Sequence, residues 1–522
     1  MQIPRIPFKI LALAPYLPPD QNFRLNKPLS VDNLNLDQVI DGLKPTFTVS
    51  IPRDLYPEEN IEIKIRKMKD FHPDGLMQNN PALRNIRKAR NHLKDAKKKG
   101  WSPAEITAHL KKWRNLPPVQ IENETKKPVS SSRDSVDSIL SMVDLPDSPS
   151  VTPSHPRDAG SQLDLQLSNI LRNIFSNTTF RALESSWRGL KLLLQEVKKN
   201  DALRVEIFPV YSDILEETLD GLTAEMIEAT PSLILIDLPF DSSPRSLDLM
   251  ARIAQFSETL LVPSIIWIRP GFFHLESWRG LKNLAYLPHF LEEPPYAKWQ
   301  SLKKKNAANW LAAACNCFMI RYPYGNDNKP RLVQFEEQRP LWASPVWALG
   351  CLIAQSFTRT GWPTRFTEWQ KIRLEDLPLN TEDPDHPLPL ETHLNRERID
   401  QFITSGIIPL ATMSDKDIAF VTAAPAVGRA ALNRQLFVSR ITRLILWCRD
   451  HFQKDLVGAE LEAALQRTFT LFWEASGHVS PENFSVETGE PQTNGRIPLR
   501  IQLEPSPQIL SPGEKVELEF FW

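Results

Sequence analysis

Apolar residues recur at intervals of three and four between residues 163 and 197, which predicts two successive helices with one buried face each. The first stripe comprises Leu163, Leu167, Ile170 and Ile174. The second comprises Phe180, Leu183, Trp187, Leu190, Leu194 and Val197. Such stripes are typical of ordinary core helices, so the spacing alone predicts packing and no particular function.

The first 115 residues predict a small domain of strands followed by basic helices. Strand patterns occur at residues 8–14, 47–51 and 61–68. In the last of these, isoleucines alternate with charged residues, which predicts one buried and one solvated face. Residues 81–99 predict a helix with a basic surface, and Ser102, Pro103 and Glu105 form the capping-box pattern of the next helix.

Residues 116–160 differ in composition from the sequence on either side. They contain seven prolines and nine serines, too few apolar residues to form a core, and predict a linker. Residues 134–145 interrupt it with an amphipathic helix pattern. Its apolar positions are Val136, Ile139, Leu140 and Val143. This helix either packs on its own domain or docks a partner.

Residues 161–522 predict a large α/β region with some α+β elements and a βαβ core. The apolar runs 231–238 and 260–268 have strand length, and a helix start at Ser243 lies between them. Strand, helix and strand at this spacing indicate a parallel sheet buried on both faces. A further strand is predicted at 203–211, and helices are predicted near 306–318, 343–359, 396–404 and 431–452.

The sequence ends in alternating strand patterns. One apolar face comprises Ile497, Leu499, Ile501 and Leu503, and another comprises Val516, Leu518, Phe520 and Trp522. A terminal strand this apolar needs a partner strand. Pairing inside its own fold is the default, and pairing with a neighbouring copy makes it a candidate inter-subunit strand.

Charge is distributed unevenly, although the net charge of the 522 residues is only −1. Residues 1–114 hold 21 Lys and Arg against 12 Asp and Glu, which gives +9, so the remainder carries −10. A basic region of this kind attracts nucleic acid, an acidic partner or the acidic remainder of the same protein. Only Trp101 and Trp113 accompany the basic helices, so we do not expect nucleic-acid binding.

Motifs of enzymes and cofactor sites are missing from the sequence. It has no phosphate-binding glycine loop, no zinc-binding motif and no nucleophile elbow. Asp237 and Asp241 follow an apolar strand and leave an α/β enzyme as a remote alternative, although a turn or cap role is more usual. We therefore expect no catalytic residues, no cofactor and no metal.

The cysteines indicate a reducing compartment, and the hydropathy of the chain indicates no membrane span. Free buried thiols are expected because no C-x-x-C pair occurs. The cysteines are Cys315, Cys317, Cys351 and Cys448. No apolar run reaches the length of a membrane span, and the first residues do not resemble a secretory signal. We expect a cytoplasmic location and no membrane partner.

Residues 180–189, F-R-A-L-E-S-S-W-R-G, resemble the signature of the large subunit of the type VI secretion contractile sheath, the TssC (VipB) family. Its core residues here are Phe180, Leu183, Trp187 and Gly189. Further matching stretches follow in order at 297–302, 321–325, 341–345, 361–363, 406–410 and 433–441. The first domain resembles the small subunit, the TssB (VipA) family, at 7–13, 49–53, 68–76 and 83–94.

The resemblance implies two sheath subunits fused into one chain, small then large. Such subunits stack into a helical sheath around an inner tube of Hcp, in contact with a baseplate, and contraction expels the tube without catalytic residues. The resemblance also implies that ClpV, the disassembly ATPase, binds a helix such as the one at 134–145. It further implies that the strand at 514–522 is shared between neighbouring copies.

The likeness to the small subunit lacks one feature. Family members carry an extra strand ahead of the one at 8–13, and only a few residues precede it here. The alternative to a sheath protomer is therefore a non-polymerising accessory scaffold of the same apparatus.

Overall fold

The computed structural model describes most of the chain outside the predicted linker. The described residues are 6–21, 25–110, 113, 115–117, 159–326, 328–382, 386–453, 456–481, 483–490, 492 and 496–522.

Strands and helices alternate along much of the chain. The strands are β1 Phe8–Ala14, β2 Leu29–Val31, β3 Thr46–Ser50, β4 Asn60–Lys64, β5 Leu203–Pro209, β6 Leu233–Phe240, β7 Ser264–Ile268, β8 Leu311–Cys315, β9 Phe318–Arg321, β10 Leu341–Ala343, β11 Ile407–Pro409, β12 Ser485–Thr488, β13 Pro498–Leu503 and β14 Val516–Phe521. The helices are α1 Leu36–Leu43, α2 Pro73–Asn79, α3 Pro81–Lys98, α4 Pro103–Leu110, α5 Ala159–Ser176, α6 Thr178–Val197, α7 Leu215–Glu228, α8 Pro244–Leu260, α9 Leu287–Phe290, α10 Ala297–Lys303, α11 Pro345–Thr360, α12 Arg396–Thr404, α13 Leu432–His451 and α14 Gly458–Ala475. Short 3-10 helices occupy Met68–Phe71, Pro270–Phe273, Trp278–Asn283, Pro294–Tyr296 and Asn306–Trp310.

A seven-stranded sheet forms the centre of the molecule, in the order β11-β8-β7-β6-β1-β5-β2. Neighbouring strands run parallel, except that β2 is antiparallel to β5. Helix α8 connects the neighbouring parallel strands β6 and β7, so the predicted βαβ unit and the α/β fold class are confirmed.

Strand β1 joins the N-terminal segment to the large region. It lies between β5 and β6, with Phe8 opposite Leu203 and Ile10 opposite Leu233. Its main chain therefore contributes to a sheet whose other parallel strands all come from residues 203–409. The predicted division into domains at 1–115, 116–160 and 161–522 stays a prediction. The first and last of these segments both contribute strands to the central sheet.

The two faces of the sheet carry separate apolar cores. Phe8, Ile10 and Ala12 pack on the side that contains α3, α5, α6 and α11. Leu11 and Leu13 pack on the opposite side, with α7 and α8. Successive strand residues point to opposite faces, so one seven-residue strand anchors both layers.

A third core lies beside the central sheet in the C-terminal part of the chain. Helices α13 and α14 and the three-stranded antiparallel sheet β12-β13-β14 form it. The predicted apolar face of β13 is buried, as are α13 and α14 where they meet it.

Local signals explain where several elements begin. Ser102 Oγ accepts from Glu105 N at 3.4 Å, and Glu105 Oε2 accepts from Ser102 N at 2.8 Å, so the predicted capping box is present. Ser243 Oγ accepts from Ser246 N at 3.3 Å at the start of α8. These side chains satisfy amide groups that the first helical turn leaves without partners.

Three predicted elements are wrong in type or extent, and one of them, the strand at 61–68, ends at Lys64, ahead of the 3-10 helix that begins at Met68. The helix predicted at 306–318 is a 3-10 turn followed by strand β8, because the alanine-rich run is buried between β7 and β11. A continuous apolar run fits a buried strand as well as a buried helix. The strand predicted at 260–268 begins only at Ser264, since α8 runs to Leu260 and Leu261 adopts φ 52° as its C-cap.

Among the described residues, no helix combines the length and apolar character that a bilayer crossing requires.

Candidate functional site

The 180–189 segment lies in helix α6, at the centre of the largest core. Asn177 caps the helix, its Oδ1 accepting from Phe180 N at 3.0 Å. The whole predicted apolar stripe of α6 is buried. Trp187 donates from Nε1 to the carbonyl oxygen of Tyr16 at 3.2 Å, which attaches the helix to the chain just after β1.

Gly189 lets helix α6 approach helix α11 closely. A Cβ atom at this position would overlap the indole ring of Trp347. Glycine is required here because there is no room for a side chain. The backbone conformation does not require it, since the φ of Gly189 is not positive. The predicted signature core of Phe180, Leu183, Trp187 and Gly189 is therefore a packing centre.

A buried ionic cluster, comprising Arg181, Glu184, Arg188, Arg321 and Glu337, joins α6 to the end of β9 and to the segment that follows it. Glu184 accepts from Arg188 Nε and from Arg321 Nε, each at 2.7 Å. Arg321 also donates to Glu337 at 2.6 Å, and Arg181 donates to Glu337 at 3.2 Å. Two buried carboxylates thus pair with three guanidinium groups, of which that of Arg321 is buried and those of Arg181 and Arg188 are partly exposed.

Burial and charge act in opposite directions on Glu184. Burial alone raises its pKa, but Arg321 and Arg188 outweigh that effect and hold the pKa below the ordinary value. Burial lowers the pKa of Arg321, and Glu184 and Glu337 outweigh it, so this pKa lies well above the ordinary value. Both groups are charged in the folded protein.

The segment 321–325 completes the buried ionic cluster. The guanidinium of Arg321 lies 4.3 Å from the ring centroid of Tyr324. Tyr324 donates its backbone N–H to Glu337 at 3.1 Å, and its hydroxyl accepts from Arg188 at 3.3 Å. Both segments resemble the same family in sequence, but neither pattern predicts their contact. The one available signal was Glu184 itself, a carboxylate next to an apolar stripe.

Asp237 and Asp241 lie in different surroundings. Asp237 is buried in β6 and accepts from Ser186 Oγ at 2.7 Å and Trp347 Nε1 at 2.8 Å, and burial raises its pKa. Asp241 has the expected turn role, accepting from Ser243 N at 3.0 Å, and it pairs with Arg269. Asp237 has neither a turn nor a cap role, because it fastens α6 and α11 to the sheet.

The terminal strand β14 pairs inside its own chain. It runs antiparallel to β13, with Phe520 opposite Leu499 and Leu518 opposite Ile501. Val516 is buried, whereas Leu518, Phe520 and Trp522 are partly buried against the C-terminal core. Because β13 lies between β12 and β14, the outer edge of β14 pairs with no strand in the described part of the chain.

Three further predictions concern the helix at 134–145, the cysteines and metal binding. Val136, Ile139, Leu140 and Val143 lie outside the described residues. The four cysteines are buried and free. Within the described ranges, no cluster of His, Cys, Asp or Glu side chains could hold a metal ion.

Two family models match the chain in succession. The model of VipB, described as EvpB/VC_A0108, tail sheath N-terminal domain, matches residues 158–232 and 228–428. The model of VipA, described as Type VI secretion system, VipA, VC_A0107 or Hcp2, matches residues 3–114. The predicted order, small subunit then large subunit, is confirmed.

One curated relative and two chains of solved structures illustrate the similarity. The type VI secretion system sheath protein TssC1 of Pseudomonas aeruginosa is 24% identical over 336 residues, which cover 56% of this chain and 67% of that protein. A chain of the contracted helical sheath of the anti-feeding prophage is 13% identical, with a TM-score of 0.34, over 63% of this chain and 81% of its own. A chain of the anti-feeding prophage baseplate is 12% identical, with a TM-score of 0.34, over 65% of this chain and 76% of its own.

Proposed function

Because the chain belongs to the VipB tail sheath family, we propose that it is a one-chain protomer of a type VI secretion sheath, which assembles around an Hcp inner tube and ejects that tube on contraction. Both matched families are families of structural sheath proteins rather than enzymes. The protomer would carry out its function through contacts with other chains, with the baseplate among its partners.

The position of β1 is the observation that carries this proposal. The VipA-like segment supplies a strand that lies between β5 and β6 of the VipB-like segment. One chain therefore holds a small and a large subunit in a fixed one-to-one ratio, joined through seven pairs of opposed residues between β1 and β5. A sheath built from such chains needs no separate small subunit.

The buried ionic cluster supports a mechanical role. A contracting sheath transmits force through its protomers, so each protomer has to move as a stiff body. Salt bridges with fixed, multidentate geometry restrict relative movement of the elements they join. The cluster joins α6 to the end of β9, and Gly189 lets α6 pack closely on α11.

Two contacts with other molecules belong to the proposal. The free edge of β14 would pair with a strand of a neighbouring copy, as an exposed edge readily does. The amphipathic segment at 134–145 would bind ClpV after contraction, and the cytoplasm would be the compartment in which both events occur.

Negative-stain electron microscopy of the purified full-length chain, with and without added Hcp tubes, tests this function. We expect rings or tubes of uniform width, formed more readily when Hcp is present. A chain that stays monomeric across salt and protein concentrations, with Hcp added, would contradict the proposal.

A further inference from the structure

Two strongly charged helices lie on opposite sides of the central sheet. Helix α3 contains seven Lys and Arg residues and one Asp, whereas α7 contains five acidic residues and no Lys or Arg. The buried side of α3 packs in the core that contains Ile10, and that of α7 packs in the core that contains Leu11. Neighbouring residues of a strand point to opposite faces, so the two helices face away from each other.

The outer surface of α7 forms an acidic face, which we define by Glu216, Glu217 and Glu228. These three side chains are exposed, and the one described cation near them is Lys27, which pairs with Glu225 and is also attracted by the charge of Glu228. The other acids of α7 are already paired, Asp220 with Arg252 and Glu225 with Lys27. Ile227 lies next to Glu228 and is 61% exposed, which adds an apolar contact area to the acidic face.

The outer surface of α3 forms a basic face, which we define by Arg84, Lys88 and Lys98. They are exposed and have no acidic partner in the described part of the chain. Their inner neighbours Arg90 and Lys94 both pair with Asp164 of α5. The helix thus uses some of its positive charge internally and leaves the rest to solvent.

We propose that the basic face of one chain binds the acidic face of a second copy of the same chain. This inference rests on the proposed function as a sheath protomer and names one of its contacts. Because the faces lie on opposite sides of the sheet, they cannot meet within one chain. Two different surfaces that meet head to tail produce an open polymer, whereas one surface that meets itself produces a closed dimer.

The physical properties of the two faces fit such a contact. Exposed opposite charges attract over about 8–10 Å at physiological salt, which orients chains before they touch. The aliphatic stems of Lys and Arg cover apolar surface while their charged ends stay solvated, so they suit a partner surface that includes Ile227. No other described helix carries three exposed Lys or Arg side chains that lack an acidic partner.

A charge-exchange experiment tests the contact. One variant carries Glu216→Lys and Glu217→Lys, and the other carries Arg84→Glu and Lys88→Glu. In either variant alone the two faces repel, so we expect the sedimenting fraction at low salt to fall at least about tenfold. In an equimolar mixture each altered face meets a complementary one, so alternating polymers should form and sedimentation should return.

The controls separate this contact from general charge effects. Glu276→Lys with Asp400→Lys makes the same change in net charge as the Glu216→Lys, Glu217→Lys variant at exposed positions elsewhere, and should sediment like the wild type. Thermal unfolding shows whether all variants remain folded, as expected for exposed sites. Nuclease treatment of every sample tests the competing role of the basic face, since polymers that disappear with the nucleic acid would overturn the proposal.

The failure of this inference is distinguishable from the failure of the proposed function. If the wild type forms tubes and both charge variants form them equally well, the sheath function stands and this contact is wrong. A mixture that stays as dispersed as the separate variants also overturns the contact. If the wild type forms no polymer with Hcp present, the sheath function falls and the contact falls with it.

Discussion

Glu184 holds two arginines in the interior, and its charge has no other compensation there. Replacing it by Gln keeps the shape but leaves Arg188 without a charged partner and Arg321 with only Glu337. We expect the free energy of unfolding to fall by about 3 kcal/mol, since loss of one member of a buried ion pair leaves an uncompensated charge. Urea unfolding of Glu184→Gln measures this.

Glu196 of the same helix offers a matched control. It pairs with Lys199 at 2.7 Å. The lysine side chain is 54% exposed and the glutamate side chain 15%, so water reaches this pair. Such pairs contribute about 0–1 kcal/mol, and Glu196→Gln should lower the free energy of unfolding by about 1 kcal/mol or less. Equal losses for the two variants would contradict a special role for the buried ionic cluster.

The lowered pKa of Glu184 gives its contribution a defined pH dependence. A carboxyl group whose pKa is lower in the folded state stabilises the protein above its unfolded pKa, and this stabilisation is lost as the pH falls through the folded pKa. The ordinary glutamate pKa is 4.5, and that of Glu184 lies below it. The difference in unfolding free energy between wild type and Glu184→Gln should therefore be constant above about pH 5 and shrink under more acidic conditions. A difference that grows toward low pH would contradict the assignment.

Gly189 makes a second residue-level prediction. Gly189→Ala forces the new methyl group against Trp347, so we expect a loss of about 1–3 kcal/mol in unfolding free energy, as for overpacked cores. Gly221 in α7 is the control, because no atom lies within 4 Å of a Cβ placed there. Gly221→Ala should stabilise the helix by up to about 1 kcal/mol. Thermal unfolding of both variants measures these changes, and equal unfolding temperatures for the two would contradict the prediction.

At this scale the sequence revealed which residues are buried but not how they pair. The spacing of Phe180, Leu183 and Trp187 placed them on one face, and all three are buried. The contacts of Glu184 with Arg321 join positions 137 apart in sequence, and no local pattern encodes such a distance. Aspartate after a strand usually has a turn role, which the sequence therefore predicts for Asp237, whereas its buried carboxylate accepts two side-chain hydrogen bonds.

At the level of elements, helix-cap residues and the periodicity of apolar residues predicted the bounds of helices better than composition did. Helices α3 and α4 follow their cap residues and apolar stripes closely. The sequence of β8 predicts a helix although it forms a strand, because burial on both faces removes the alternation that identifies a strand. Helices α7 and α14 have no counterpart among the predicted elements.

The free edge of β14 makes an element-level prediction. Trp522 and Ile497 exchange both backbone hydrogen bonds, so by alternation the N–H of Glu519 points away from β13. Proline at 519 removes this outward donor and leaves the bonds to β13 in place. If neighbouring copies pair along this edge, Glu519→Pro should fold but no longer assemble.

Two controls complete the test of β14. Glu519→Ala removes the same carboxylate and keeps the N–H, so it should assemble normally. Phe520→Pro removes a bond to β13 instead and should lower the unfolding temperature. Normal tubes from a folded Glu519→Pro protein, seen by negative-stain microscopy, would show that the edge of β14 is not an assembly contact.

At the level of the whole molecule, the order of the two families was readable from the sequence and the shared sheet was not. The pairing of β1 with β5 crosses some 190 residues, including the stretch that composition marks as a linker. Nothing local in Phe8–Ala14 identifies its neighbours in the sheet. The charge asymmetry, by contrast, was visible in the sequence, and the fold separates its two signs onto opposite sides of the sheet.

Helical reconstruction by cryo-electron microscopy of the full-length chain assembled with Hcp tests the central claim most directly. The account predicts a tube in which each repeating unit is a single chain, with β1 between β5 and β6 and with contacts between units at β14 and between α3 and α7. A specimen that contains only isolated monomers, or tubes that form only when a separate small subunit is added, would contradict it.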